Sequence, residues 1–471
     1  MRQRPTVNVM VADEPISVPR RLTIFGRIGE QLRHAEVDRA VIYGLVGMAW
    51  QVMAGPLTLL TIAYALTPAA QGYYYTFASL LALQGYAELG LSVVILSAAS
   101  HEWAALQLDS HGRITGDVRA RSRLVSLGQF AFRWYATAAL LFFVVIGSAG
   151  HRFLSGQAEA GVSWAAQWWA LVGLTALQLL ALPFNALLEG CNQVLNIQKF
   201  RLSQQVARTL TLCAVLFAGG HLWAAVAAAA VALLRDLYLI GWKYRRFFAP
   251  FLSAPANAVM NWRDEILPMQ WRLAMSAMVG YFFFQIFTPI TFRYHGAVAA
   301  GQMGMTLSFI SLVQGLSGTW LQPKVPKFGM LIARREFDLL DRLWWRTTRA
   351  VILVASVAAM AGWGTLAVVS ALGLPIATRL LGLLATGLFL VGAVTMAGVY
   401  CITAYLRAHK REPLLAMSLT TAVLMGVLSW QFGSRFGATG VAAVYLFVTL
   451  AVALPWQLAI MMRARQVWHA S

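Results

Sequence analysis

From about residue 40 onward, long apolar runs alternate with short polar and basic segments. At a rise of 1.5 Å per residue, about 18 or more apolar residues suffice for a membrane-crossing helix. The pattern predicts spans at Ala40–Leu66, Tyr73–Ser97, Leu127–Ser148, Trp168–Leu188, Leu202–Gly219 and Trp223–Trp242. It continues with Leu273–Phe292, Gly301–Leu321, Ala350–Leu372, Leu380–Leu406, Pro413–Phe432 and Thr439–Met462. The expectation is an all-α polytopic membrane protein with about 12 spans, six in each half.

The two halves echo each other. Thr76, Gln84 and Gly85 recur as Thr306, Gln314 and Gly315, a shift of 230 residues and close to half of 471. An even number of spans per repeat makes the repeats parallel, related by an axis along the membrane normal, with the substrate site expected between them. The expected division is a basic N-terminal segment 1–39, a first lobe 40–242, a linker 243–272, a second lobe 273–462 and a tail 463–471.

Composition agrees with a bilayer as the solvent: 59% of residues are hydrophobic, 12% are charged and the mean hydropathy is +0.64. The formal net charge of +19 is unevenly placed. Thirty Lys and Arg residues fall on the side that carries both termini, and four, Arg152, Arg293, Arg379 and Arg435, fall on the other. Cytoplasmic loops retain basic residues, so both termini are expected in the cytoplasm of a bacterial inner membrane. The charge orients the protein and favours anionic membrane lipids, and it does not imply nucleic acid as a partner.

Arg20–Arg39 is expected to be an amphipathic segment on the inner leaflet, since no apolar run there suits a cleaved signal peptide. The linker interleaves Arg245, Arg246, Phe247, Phe248, Phe251, Trp262 and Arg263, which suits a helix in the headgroup region. Pro323–Arg349 forms a second basic surface. Cys191, Cys213 and Cys401 show no metal-ligand or disulfide spacing and are read as packing residues, and no cofactor is expected.

Charges within the spans are the candidates for chemistry, because each costs roughly 2.5–3.5 kcal/mol at a helix centre unless it has a partner, a cavity or a route to water. Glu88 would lie about 24 Å along its helix from Gly72 and about 14 Å from Ser97, too deep for a short carboxylate to escape. It is the candidate proton or sodium site. With Thr76 and Gln84 it falls at multiples of four, so one continuous helix would place all three on one stripe, echoed by Thr306 and Gln314. Such stripes could line a water-filled cleft or serve as interhelical hydrogen bonds. Arg133 and Arg208 lie about 10 Å deep, within reach of snorkelling, so both anchoring and substrate contact are open. Arg235 and Asp236 point about 100° apart and need not pair; anchoring is expected. Pro56 and Pro289, each followed two residues later by Thr, are candidate hinges in equivalent helices.

Three short segments carry a family resemblance. Leu66-Thr-Pro-Ala-Ala-Gln-Gly-Tyr-Tyr-Tyr-Thr-Phe77 followed by Glu88-Leu-Gly90, the pattern Pro323–Pro326, and Phe337-Asp-Leu-Leu-Asp-Arg-Leu343 resemble polysaccharide flippases of the multidrug/oligosaccharidyl-lipid/polysaccharide (MOP) exporter superfamily. The resemblance implies MATE-like six-helix lobes, with helices 1, 2, 7 and 8 around a cavity that moves an undecaprenyl-pyrophosphate-linked oligosaccharide outward by alternating access. Other polysaccharide assembly proteins are implied partners. Relatives that handle pyrophosphate lipids tend to have basic cavity walls, whereas helix 2 here offers Gln84 and Glu88. Arg293, Arg133 and Arg208 are then the candidate anion contacts.

A proton- or sodium-coupled drug/cation antiporter on the same fold is the alternative, with Glu88 as its ion site. A membrane enzyme is disfavoured, because the outer loops are short and the longest, Ala149–Gln167, holds only His151, Arg152 and Glu159 as titratable or charged residues. The orientation is tested by cysteine labelling from outside the cell: probes at Gly156 and Gly437 should react and probes at Gly112 and Arg411 should not. The reverse pattern would invert the topology.

Overall fold

The computed structural model describes residues 39–88, 90–157, 161–253, 258–267, 270, 285–409 and 413–469. The amphipathic segment expected at the N-terminus and most of the expected span Leu273–Phe292 lie outside the described residues. Among the described residues, eight helices are long and apolar enough to cross a membrane, and a bent pair makes a ninth.

In the first half these are α1 (Arg39–Ala65), the bent series α2 (Pro68–Leu81), α3 (Gln84–Glu88) and α4 (Leu91–Trp103), then α5 (Val118–Leu141), which runs through a π-helical turn into α6 (Gly147–Ser155). They are followed by α7 (Ala165–Gly190), α8 (Val194–Phe217) and α9 (Trp223–Tyr238). α8 carries Lys199, Arg201 and Arg208, too much charge to rank among the apolar spans, yet it packs between α1 and α9. A short α10 (Arg245–Phe248) follows. The second half comprises α11 (Phe287–Leu321), α12 (Val325–Ala333), α13 (Phe337–Ala371), α14 (Leu383–Ala408), α15 (Leu415–Phe447) and α16 (Leu454–His469).

Two of these helices contain a glycine break where the sequence predicts a turn between spans. Gly296 adopts φ 82°, ψ 178°, and Gly437 adopts φ 61°, ψ −146°. At Gly437 the chain folds back: a Cβ on Gly440 would lie 2.5 Å from the Phe432 carbonyl, although eight residues of straight helix span about 12 Å. The break near Pro289 is thus at Gly296, while Pro289 sits in the first turn of α11, where its missing N–H costs no helical bond. α1 is one helix through Pro56. Neither proline marks a break.

Helix 2 departs most from expectation. Thr67 caps α2, its hydroxyl accepting from the Ala70 N–H at 3.2 Å, with Pro68 in the first turn. Tight turns follow at Ala82–Leu83, and between Tyr86 and Leu91, where Gly90 is left-handed at φ 68°, the helix bends so that Pro68–Tyr86 and Leu91–Trp103 meet at 44°. Thr76 before the turns is fully buried while Gln84 after them is exposed, so the two do not share one polar stripe.

On the face rich in Lys and Arg, residues Leu106–Leu108 and Ile114–Gly116 pair as an antiparallel hairpin within an expected loop. Asp109 organises its turn by accepting from the Arg113 and His111 N–H groups at 2.8 and 2.9 Å, and these bonds hold its carboxyl below the usual range. Among its described residues the linker does not form one continuous helix. Its aromatics turn into the protein: Phe247 and Phe248 are buried, and Trp262 stacks on Phe130 at 3.8 Å between centroids. Arg123 bridges Glu102 and Glu265 at 2.7 and 2.5 Å, and holds the Glu265 carboxyl low together with the Asn261 N–H.

The halves meet where α2 lies along α11. A Cβ on Gly72 would come within 1.9 Å of the Ala297 carbonyl, and one on Gly304 within 2.2 Å of Tyr75 Cβ. Gln71, almost fully buried, donates to the carbonyls of Gly301 at 2.9 Å and Arg379 at 3.1 Å. Tyr73 packs on Trp164 and Phe292, at centroid distances of 5.9 and 5.3 Å. This contact closes the face poor in basic residues. Toward the basic face, Gln84, Gly85, Gly315 and Trp320 are exposed.

Replacing Gly72 by Ala should force α2 and α11 apart. An overpacking cost of about 1–3 kcal/mol favours the separated state by roughly fivefold to a hundredfold or more. A Cys at Thr76, buried beneath the contact, should then label correspondingly faster from the sparse face; unchanged labelling would contradict the contact.

Candidate functional site

The break in helix 2 turns its second part toward a space bounded by α7, α8 and α9. Gln178, Asn185 and Glu189 recur at intervals of seven and four on α7, and Arg201, Gln204, Gln205 and Arg208 at three, four and seven on α8, so each set occupies one helix face. With Gln84, Glu88, Ser92 and Asp236, these side chains line a cavity of about 600 Å³. A second cavity of about 420 Å³, bounded by α1, α2 and α11, shares Gln205 and Arg208 with the first. Arg208 stands at their junction.

The polar groups are partly matched within the cavity. Arg201 pairs with Glu189 at 2.5 Å. Gln204 donates to Asp236 at 3.1 Å and to the Ala232 carbonyl at 2.8 Å, and Asn185 donates to Asp236 at 3.4 Å. Glu88 accepts a short hydrogen bond from Ser92. Among the described residues, Glu88, Asp236 and Arg208 make no ion pair, and the buried carbonyl oxygens of Asn185 and Gln205 have no hydrogen-bond partner. Buried amides and carboxylates in this state require water or a polar ligand.

Three of the expected site residues therefore converge: Gln84, Glu88 and Arg208. The others do not line either cavity. Thr76 is fully buried with no hydroxyl partner, and Thr306 accepts from the Leu381 N–H at 3.0 Å, tying α11 to the loop after α13. Gln314 donates to Tyr445 at 3.4 Å within the second half. Arg293 lies on the sparse face, where its carbonyl accepts from Gln157 at 2.9 Å. Arg133 is exposed on the outside of the first half. These five side chains serve packing or surface positions in this conformation.

Asp236 was expected to anchor; it is instead a buried wall of the cavity. As expected, it does not pair with Arg235, whose guanidinium donates to Ser203 at 2.5 Å and covers the Phe200 ring at 5.4 Å. The signal for this wall was present in the polar faces of α7 and α8, which stand out within otherwise apolar helices.

No protein-family model and no curated protein matches the sequence. Several solved structures resemble the fold. The MATE multidrug transporter DinF-BH superposes with a TM-score of 0.59 at 12% identity, covering 91% of this chain and 95% of that one. The lipid II flippase MurJ, in an inward closed conformation, gives 0.57 at 11% identity, covering 90% of this chain and 87% of that one. The Vibrio cholerae MATE transporter VcmN gives 0.54 at 11% identity, with 94% and 99% covered. The chain accordingly has the all-helical, two-lobed fold common to MATE transporters and the MurJ flippase.

Proposed function

We propose that the chain is an alternating-access transporter, not an enzyme, that moves an undecaprenyl-pyrophosphate-linked oligosaccharide across a bacterial inner membrane for polysaccharide export. The observation that carries this reading is an amide-rich cavity within the first half, with an arginine that makes no ion pair among the described residues at its junction with a second cavity beside α11. Gln84, Gln178, Asn185, Gln204 and Gln205 offer neutral donors and acceptors, the chemistry that suits sugar hydroxyls. A pyrophosphate leaving water needs charge-assisted hydrogen bonds, and Arg208 supplies them in bidentate geometry. The likeness to a lipid II flippase is in keeping with a lipid-linked substrate.

In this scheme the lobes are residues 40–242 and 273–462, joined by the linker, with both termini cytoplasmic. A proton or sodium ion is the coupling partner, and other polysaccharide assembly proteins receive the product. The drug/cation antiporter remains the second reading, favoured by the unpaired Glu88 and Asp236 in the cavity and by the likeness to multidrug transporters.

Binding of a lipid-linked oligosaccharide to the purified protein, compared with amphipathic cations under the same conditions, separates the two. Arg208→Lys and Arg208→Ala should weaken binding of the pyrophosphate lipid by about tenfold to a hundredfold, as for a lost hydrogen bond to a charged group. Unchanged lipid binding with stronger cation binding would support the antiporter instead. Glu88→Gln and Asp236→Asn, in folded protein, should flatten the pH or sodium dependence of transport. Wild-type dependence in both variants would remove these acids from coupling.

A further inference from the structure

Arg133 requires a role outside the cavity. It lines a groove of about 580 Å³ on the other side of α7, where Phe184 and Leu187 face the groove while Asn185 and Ala186 face the cavity. No residue lines both spaces. The groove is held in shape by the chain after α10. Gln129 Nε2 donates to the carbonyls of Phe251 at 2.9 Å and Ser253 at 2.7 Å, and the Phe251 ring occupies the space above Gly128, 2.3 Å from where a Cβ would be.

Two features point to an occupant. The lining is mostly apolar, and Leu252 at its edge is 91% exposed. The groove also contains two exposed arginines, Arg133 and Arg245, neither of which makes an ion pair among the described residues. Arg245 lies over Trp242, 5.9 Å from the ring centroid, and that indole is 70% exposed. An exposed Trp beside Arg at a helix end is the signature of the headgroup level. An arginine below that level needs a counter-charge, and the available one is lipid phosphate.

We propose that this groove binds one anionic phospholipid of the basic-face leaflet, with an acyl chain against Phe184 and Leu187 and its phosphate between Arg133 and Arg245. The site is separate from the transport cavity and backs onto the helix that supplies the cavity with Gln178, Asn185 and Glu189. Its occupant is chosen by charge as well as by shape, so phosphatidylglycerol should be retained over phosphatidylcholine.

Native mass spectrometry of the full chain, extracted from bilayers of equal phosphatidylglycerol and phosphatidylcholine content, tests this directly. At about 1 kcal/mol per arginine near the surface, Arg133→Gln or Arg245→Gln should each lower retention of phosphatidylglycerol roughly fivefold, and the double variant by about 25-fold. Arg133→Lys with Arg245→Lys should keep most of it, and Arg435→Gln on the opposite face should have no effect. Gly241 also lines the groove, and a Cβ there meets nothing within 4 Å. Gly241→Leu should therefore displace the lipid sterically with both arginines intact, which keeps the test decisive if the double variant fails to fold. Equal retention of the two lipids by wild type, or wild-type retention by Gly241→Leu, would overturn the proposal. So would retention of a polyprenyl pyrophosphate in the groove in place of a phospholipid.

Discussion

The closeness of α2 and α11 governs much else in the molecule. Inside a bilayer there is no hydrophobic gain from bringing two helices together, since lipid tails are as apolar as the side chains they replace. Association depends on dispersion and on backbone approach, and glycine permits both. Gly72, Gly301 and Gly304 let the backbones touch, and Gln71 and Thr306 then convert proximity into hydrogen bonds with α11 and the loop beyond α13. The contact lies toward one face, and the smaller cavity, lined by α1, α2, α8 and α11, lies beside the same two helices. The larger cavity lies within the first half, where no residue of α11 lines it.

The second constraint is the cost of polar groups away from water. Helix 2 meets it by breaking. Thr76, before the turns at Ala82–Leu83, is fully buried, whereas Glu88, after them, accepts from Ser92 and lines the cavity with the amides of α7 and α8. Irregular backbone at membrane depth is tolerated where it lines a cavity. The break and the cavity therefore explain each other.

Much of the architecture was legible because it follows from run length and repetition. The apolar runs marked the spans, the 230-residue echo identified the two helices that meet, and Gln84, Glu88 and Arg208 were visible as polar residues in apolar surroundings. The rest depended on rotation and register. Arg133 and Arg208 lie at similar expected depths, yet one faces outward and the other the cavity, a difference that nearly uniform apolarity around a membrane helix conceals. The stripe of Thr76, Gln84 and Glu88 assumed an unbroken helix, and the turns at Ala82–Leu83 leave Thr76 buried and Gln84 exposed. The hairpin at Leu106–Gly116 has strands of only three residues, too short to register as alternation.

The two arginine environments show how one residue type serves opposite ends. Arg208 is exposed at the junction of two cavities with amides about it, the place the proposed transport reading gives to the anion of the substrate. Arg133 sits among Phe132, Phe184 and Leu187 on the far side of α7, in the groove proposed to hold an anionic phospholipid. α7 thus separates two unlike spaces, and its alternate faces, polar at Asn185 and Glu189 and apolar at Phe184 and Leu187, are the physical basis of that division.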